Sequence, residues 1–462
     1  MKNDNNNLKD EKSNELRRDL GFFAIVAIIV GQMIGSGIYM TPQGLAEISD
    51  PITSAVAMIV TGIGTIFMAV SFSRLNKRGA LTGSIIIYTR EAFGEMPAFW
   101  VGWCYWCGCW IANGAIAVAA VSYFSYFIPA LSANHVIQFI IVIAIIWFYT
   151  LLNIKGVKAA GYFNLIITIL KLIPLAIFIV IAIKGFDVNN LSTTSSSNLK
   201  GVSTLPAAVA YCLWCYIGFE GATVTAGEAK NENQIGRATI ISSFAVMLIY
   251  ITIVLLSAGA MSQAEIVNST SPLADIMHKI TGAYWTGAIV SIGGSICAFG
   301  CVGAWILSAG RASYSLASID LLPRIFMKTD KKSGSPKAAL LINGVLMTIV
   351  MAIAYFGKEG TVYNFLVMLS VTSFLVFYLF GVSAEMLLTG KDNKGKGIMN
   401  YLKKTIFSIL GFIYAMYTIY GSGAEYVFSG FLLLLAGIPF FIAIKLGKED
   451  KKTEEFTINK LE

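Results

Sequence analysis

Residues 31–44 read GQMIGSGIYMTPQG, and Gly31, Gly35 and Gly37 crowd the middle of an apolar run that begins at Leu20. Each glycine inside a helix costs about 0.5–1 kcal/mol relative to alanine. At membrane depth, irregular backbone is tolerated only where it lines a cavity. The stretch therefore reads either as a helix broken for a purpose or as glycines that let a neighbouring helix approach closely. The rest of the chain decides between these.

Composition sets the medium. The chain has 462 residues, 56% hydrophobic and 13% charged, with mean hydropathy +0.70; soluble domains carry nearer 25% charged residues. Apolar runs of the roughly 20 residues that a span needs recur along the whole length. They predict twelve spans, at about 20–40, 53–74, 96–128, 135–153, 161–184, 205–227, 238–261, 284–318, 337–356, 361–388, 404–423 and 426–446. The fold class is an all-α membrane protein whose solvent is the lipid bilayer. The opening MKNDNNNLKDEKSNELRRD is too polar and acidic for a cleaved signal peptide and reads as a solvated tail.

The net charge of +8 would suit nucleic acid if it covered one surface, but it follows topology instead. Of the 34 Lys and Arg, Lys184, Lys200, Lys279 and Lys358 fall in loops on one side and Lys171 stands inside a span; nearly all the others, among them Arg17, Arg18, Arg74, Lys77, Arg78, Lys155, Arg324, Lys331 and Lys404, fall on the other side. This is the positive-inside asymmetry. It predicts a multi-pass protein of a bacterial-type cell membrane with both termini cytoplasmic, and no nucleic-acid partner. Cys104–Cys107 and Cys212–Cys215 have the CxxC spacing of zinc sites, but they lie in apolar runs, and the only histidines, His135 and His278, fall in outward loops. These cysteines read as small, polarizable packing residues. Neither metal nor cofactor is expected.

A second interrupted run decides the opening question. AAVAYCLWCYIGFEGATVTAGE (207–228) carries Gly218 and Gly221 around a charged Glu220. Five spans separate the two starts, so the sixth span enters the membrane from the side opposite to the first. Interrupted helices at matching places in two opposed halves point to an inverted-repeat secondary transporter. The unusually long third and eighth spans fit the same scheme through tilt. A break at Gly35-Ser36-Gly37 leaves N–H groups aimed into a cavity, which suits a carboxylate. The carbonyls that end the preceding half-helix suit an ammonium. Both ends of an amino-acid backbone are thereby provided for.

Five stretches in order, GQMIGSGIYMTP, WCGCWIANGAIAVAAVSYFSYFIP, LWCYIGFEGA, AGEAKN and GAWILSAGRASYSLASIDLLPRIF, resemble the amino acid–polyamine–organocation superfamily. Among its members they are most similar to the bacterial basic amino acid/polyamine antiporters of the arginine/agmatine type. The resemblance runs from about Leu20 to the end of the twelfth span. It implies twelve helices in a five-plus-five inverted repeat (the LeuT-like fold), with helices 1 and 6 broken and a substrate site between helices 1, 3, 6, 8 and 10. By motif it implies that Ser36 and Gly37 meet a substrate carboxylate and that the carbonyls of Met33, Trp214 and Ile217 take an α-ammonium. Cys109 and Asn113 would face the substrate side chain, and Ser370 would match a site serine. Tyr105, Trp214, Trp305 and Tyr363 would be gating aromatics, with Tyr363 standing where those antiporters carry Phe. AGEAKNENQIGRAT (226–239) lacks the prolines usual there.

Two intramembrane charges need an account. Glu220 sits beside a break near the midplane, where a carboxyl can carry a proton or sense a cation; the plainer reading is a protonated acid bonded to a neighbouring helix. Lys171, in IITILKLIPLAIF (166–178), departs from the arginine/agmatine pattern and resembles the neutral and broad-range exchangers. In sodium-coupled relatives of the fold a cation sits between helices 1, 5 and 8. The resemblance implies that the Lys171 ammonium takes that place, bonding the carbonyls of Gly31 and Ile34 and the hydroxyl of Ser308. The alternative is snorkelling.

The expected organisation is a cytoplasmic tail (1–19), a first repeat (20–184), an extracellular loop (185–204), a second repeat (205–388), two further helices (404–446) and a second cytoplasmic tail (447–462). The function read from this is secondary active antiport: an external amino acid, cationic in the first reading, exchanged for an internal amine or amino acid by alternating access. The alternative is sodium-independent or proton-coupled transport of neutral or small amino acids. An enzyme is not expected, since HExxH is absent and no histidine lies in a span to serve as a base. A channel is disfavoured because no filter motif repeats. A homodimer is compatible with the family.

Overall fold

The computed structural model describes residues 18–447 except 80–81, 125–126, 129–130, 132–133, 193–200, 270 and 357–361, and gives the backbone alone at 122, 157–165, 354 and 362–364. Residues 1–17 and 448–462 of the two expected tails lie outside the described residues, as does the side chain of Tyr363.

Every element that positions the site is helical. In order they are α1 (Phe22–Met33), α2 (Ser36–Ile48), α3 (Pro51–Asn76), α4 (Ser84–Phe93), α5 (Glu95–Phe124), α6 (His135–Ile154), α7 (Val157–Ala182), α8 (Leu205–Tyr216), α9 (Gly221–Val224), α10 (Asn233–Ala260), α11 (Pro272–Thr281), α12 (Tyr284–Ser318), α13 (Lys337–Phe356), α14 (Val362–Asp392), α15 (Ile398–Ser422) and α16 (Ala424–Ala436). Among the described residues the only β-type pairing is an isolated bridge between Leu20 and Ala229. A helix satisfies its own backbone, which hydrocarbon demands. Local signals start several of them. Asp50 caps α3 by accepting from the amides of Ile52 and Thr53 at 3.1 and 3.0 Å, and Pro51 fills the first turn. Asn134 caps α6 in the same way.

Among the described residues ten helices are long and apolar enough to cross a membrane, and Val202–Tyr216 and the described part of α13, Lys337–Ile353, are shorter apolar helices. The two short ones fall where the sixth and ninth spans are expected. The sixth is cut short because its helix stops at Tyr216. The first expected span ends near residue 40, whereas α2 continues through Pro42 to Ile48; a proline inside a packed membrane helix can be accommodated by its neighbours. α4 and α11 are short helices between spans that the hydropathy runs did not announce.

The centre is built by α5, α12 and α14, with α3 and α10 against the first broken helix and α8. The most apolar stretch of α5 is 89% buried, whereas that of the last helix is 11% buried. Rings such as Phe428 and Phe431 therefore face outward, toward the lipid. The two broken helices lie antiparallel: α8 packs on α2, and α9 packs on α1. Their interruptions stand side by side.

Candidate functional site

In the first broken helix, α1 ends at Met33 and α2 begins at Ser36, with Ile34 and Gly35 non-helical between them. The released carbonyls are taken one by one. Lys171, fully buried on α7, donates from Nζ to Gly31 O at 2.8 Å and to Ile34 O at 2.5 Å. The Cys301 thiol donates to Gln32 O at 3.2 Å, and the Tyr250 hydroxyl donates to Met33 O at 2.5 Å. Cys297 Sγ lies 3.2 Å from Ile34 O and 3.4 Å from Gly35 O. A buried ammonium needs partners of this kind. Ser308 has a different partner from the one expected: its hydroxyl accepts from Gln32 Nε2 at 2.5 Å, and the same nitrogen donates to Ala304 O at 3.0 Å. On the far side of the gap, α2 begins without a side-chain cap, so the amides of its first turn have no helical acceptor.

In the second broken helix, α8 stops at Tyr216 and α9 begins at Gly221. The Gly218 amide, which a continued helix would have given to the Trp214 carbonyl, donates instead to Glu220 Oε2 at 3.0 Å. The Gly221 amide turns to Gly218 O at 3.0 Å. The carbonyls of Trp214 and Ile217 thereby lose their helical partners. Gly218 has φ +119°, and a Cβ there would stand 2.7 Å from Gln32 Cβ and 2.9 Å from the backbone of Gln32 and Met33. Only glycine permits both this conformation and this approach of one break to the other.

Glu220 is fully buried, and its Oε2 also accepts from the Tyr378 hydroxyl at 2.8 Å. Its Oε1 has no hydrogen-bond partner. Tyr105 and Cys109 lie within electrostatic range of it.

A cavity opens at the first break. It is lined by Met33, Ser36, Gly37, Trp214, Ile217 and Trp305 of the expected set, and by Gln32, Gly35, Ile116 and Cys301. Only about 10 Å³ of it is open to the centre of a water molecule, which is room for about one water. The Trp214 ring lies over Gly37, whose Cβ would meet it at 3.2 Å, and the Trp305 ring packs on Phe374 with centroids 5.2 Å apart. Two polar atoms at the cavity, Ser36 Oγ and Trp214 Nε1, are buried without a partner.

Other expected residues lie outside that lining. Asn113 is fully buried with both amide atoms unpartnered. Gly108 faces Phe374 of α14, and Gly114 faces Met351 of α13 with Leu366 of α14 further off, so the 109–113 turn of α5 lies against both helices. Ser370 is bonded back to Leu366 O at 2.7 Å. Tyr105 stacks on Phe377 with centroids 4.3 Å apart.

Some residues at and around the site were missed by the sequence reading. Gln32 links the first break to α12 and touches the second. Cys297 and Cys301 cap the first break rather than only filling space. Arg311 and Glu228 form a buried two-pronged ion pair, at 2.8 and 3.0 Å. The strand-like bridge beside Glu228 joins Leu20 to the chain at 228–230, with Leu20 N bonded to Glu228 O at 2.9 Å and Lys230 N to Leu20 O at 2.8 Å. The signal for this pair was available: each charge interrupts one of the five quoted stretches.

The comparisons with known proteins agree with this geometry. The amino acid permease family profile matches residues 20–443. An arginine/agmatine antiporter of Chlamydia felis is 32% identical, over 96% of this chain and 93% of the relative. An arginine/ornithine antiporter of Lactococcus lactis is 31% identical, over 96% and 87%. One of Pseudomonas aeruginosa is 26% identical, over 95% and 92%. With a match that covers both broken helices and almost the whole described chain, the protein belongs to the amino acid permease family of the amino acid–polyamine–organocation superfamily.

Proposed function

We propose that the chain is a twelve-span secondary antiporter with both termini cytoplasmic, exchanging a cationic amino acid for an amine or a second amino acid by alternating access. The observation that carries this is the uncapped start of α2 inside the cavity, beside the partnerless Ser36 Oγ and Trp214 Nε1. Helix N-termini attract carboxylates. The carbonyls of Trp214 and Ile217, freed across the cavity, suit an α-ammonium; Met33 O, which already accepts from Tyr250 and from the Gly35 amide at 3.0 Å, must give up one of these to join them. The order of elements supports two opposed halves, 20–184 and 205–388. Each runs broken helix, helix, short helix, long helix and two more helices: α1/α2 to α7, then α8/α9 to α14. Names of relatives support a basic substrate, since the proteins compared above are arginine/agmatine and arginine/ornithine antiporters.

A cavity with room for one water cannot hold an amino acid, so the rings over it, Trp214 and Trp305, must swing for substrate to enter. This fits their role as gates, with Tyr105 and Tyr363 as the further gating aromatics and Cys109, Asn113 and Ser370 as contacts for the substrate side chain. Lys171 in place of a sodium ion makes the exchange sodium-independent. Glu220, with one oxygen free, is the group for proton coupling.

A second reading, exchange of neutral or small amino acids, is favoured by one observation: among the described residues no carboxylate lines the cavity. Counterflow in proteoliposomes loaded in turn with arginine, ornithine, agmatine and neutral amino acids tests both readings and separates a carrier from a channel. Trp305→Leu should weaken a cationic substrate by up to about 30-fold, because cation–π contacts contribute about 0.5–2 kcal/mol. An equal loss for a neutral substrate would leave Trp305 a shape element only.

A further inference from the structure

Glu220 is not the only acid buried in this bundle. Glu385 lies on α14 seven residues beyond Tyr378, so on the same face and about 10 Å further along the helix. It is 2% exposed. No ion pair joins it to a cation among the described residues, although basic groups stand near that end of α14. Arg74 on α3 donates to Lys404 O and covers the Phe407 ring. Arg78 is paired with Asp392, and Arg90 on α4 with Glu95. Lys403 and Lys404 on α15 form no ion pair with it. Tyr378, on its own helix, is bonded to Glu220.

The hydrogen atoms can be counted. Four oxygens stand in a row: Glu385 Oε2, Ser408 Oγ on α15, Ser71 Oγ on α3 and Phe67 O. Their spacings are 2.5, 2.8 and 2.9 Å. Each gap has hydrogen-bond length and needs one hydrogen. Two serine hydroxyls carry two hydrogens between them, and a carbonyl carries none. The other carboxyl oxygen is already served, since Thr389 Oγ1 donates to Oε1 at 2.8 Å. The third hydrogen therefore belongs to Glu385.

We propose that Glu385 is a proton-binding site: a neutral carboxylic acid that donates to Ser408 and closes a hydrogen-bond chain tying α14 to α15 and α3. α14 then bears two acid contacts on one face, Glu220 through Tyr378 and its own Glu385. Loss of the second proton would remove one of the three links and leave a charge with no cation to meet it. The test reads the proton directly and does not depend on which substrate is carried. Infrared spectra of the full-length protein in lipid are recorded at neutral pH for wild type and Glu385→Gln. The amide can donate to Ser408 and accept from Thr389, so the fold is preserved. The expected difference is the loss of one protonated-carboxyl C=O band with the carboxylate bands unchanged; Glu220 is present in both samples and cancels. Ser408→Ala, which keeps Glu385 but removes its acceptor, should shift that band to higher frequency. Loss of a carboxylate band in Glu385→Gln would overturn the proposal. If Glu385→Gln fails to fold, the Ser408→Ala spectrum decides: a shifted acid band upholds the proposal, and an unmoved one overturns it.

Discussion

The two broken helices solve one problem in opposite ways. The gap in the first spans two residues, and every carbonyl it releases from Gly31 to Ile34 meets a donor from another helix: Lys171 on α7, Tyr250 on α10, Cys297 and Cys301 on α12. The gap in the second spans four residues and closes mostly on itself, with Gly218 bonded to Glu220 and Gly221 to Gly218. Among the described residues the hydrogen bond that reaches in from another helix is that of Tyr378, and Glu220 Oε1 stays unbonded. The helix that follows is four residues long. The first break is thus anchored by its surroundings. The second carries its own short turn and is the freer of the two to rearrange. Unsatisfied groups at membrane depth cost several kcal/mol each, so the anchored break is where a single deletion should do most harm.

Lys171→Ala is the strongest test of that contrast. It strips Gly31 of its donor and leaves Ile34 only the Cys297 thiol, and exchange should fall by about 100-fold or more, since each 1.4 kcal/mol is tenfold. Size-exclusion in detergent should still show a folded protein. Transport by the wild type should be the same with sodium and with an impermeant organic cation in its place. A sodium requirement would end the idea that the ammonium stands in for the ion, and a fully active alanine variant would dissolve the contrast between the breaks.

Gly37→Val comes next. The new side chain would press on Trp214 and Cys215, which lie 3.2–3.4 Å from the Cβ position, and would screen the first amides of α2. Binding of amino acids should fall by about tenfold to 100-fold, as expected for losing one or two charge-assisted hydrogen bonds of about 1.5–3 kcal/mol. Amines that lack a carboxylate should suffer less. Equal losses for the two classes would move the carboxylate away from this helix end.

How far this could be read in advance depends on which force was involved. Both breaks were legible because glycine and an acid inside apolar runs are locally costly and therefore informative. Lys171 was legible for the same reason. The partners were harder: Tyr250, Cys297 and Cys301 are ordinary membrane-helix residues, and only three-dimensional placement makes them donors. Glu385 and the Arg311–Glu228 pair carried the same signal as Glu220, a charge in an apolar run, and Gly227 and Gly310 even stand beside the pair, but the motifs that hold the pair were read for the resemblance and not for the charge. The short α4 and α11 went unread because their lengths and compositions are those of loops. The ninth helix matches its expected bounds, and α2 differed only in its end, where hydropathy says least.

Glu220→Gln probes the freer break with a smaller change. Gln can still accept from Tyr378 and Gly218 but cannot take up or release a proton. Some exchange should remain, within about tenfold of wild type at its best pH, and the dependence of rate on pH should flatten. An unchanged profile would shift proton coupling to another group, and Glu385 would be the first to examine.

The smallest effect concerns what holds the anchored break from its far end. The segment 262–267 grips the end of α2, with Gln263 Nε2 donating to Ala46 O at 2.8 Å and to Ser49 O at 2.9 Å. Glu265 in turn clips that segment to α11, where Lys279 Nζ donates to both its oxygens at 2.8 Å, while Ser262 donates through its amide and hydroxyl. Lys279 and Ser262 together pull the Glu265 carboxyl from the ordinary 4.5 down to about 2. A lowered value in the folded protein means stability that is present above the ordinary carboxylate range and is lost as pH falls from about 4.5 toward about 2. Both side chains are nearly half exposed, at 46% and 49%, and exposed pairs are worth about 0–1 kcal/mol. Glu265→Gln should therefore lower the melting temperature by about 2 °C or less at neutral pH. The gap to wild type should narrow as the pH is taken down through that window, and exchange should be almost unchanged. A drop of many degrees or a large loss of exchange would mean that the outer half of the first broken helix is steadied by this clip, and not by the donors buried at the break.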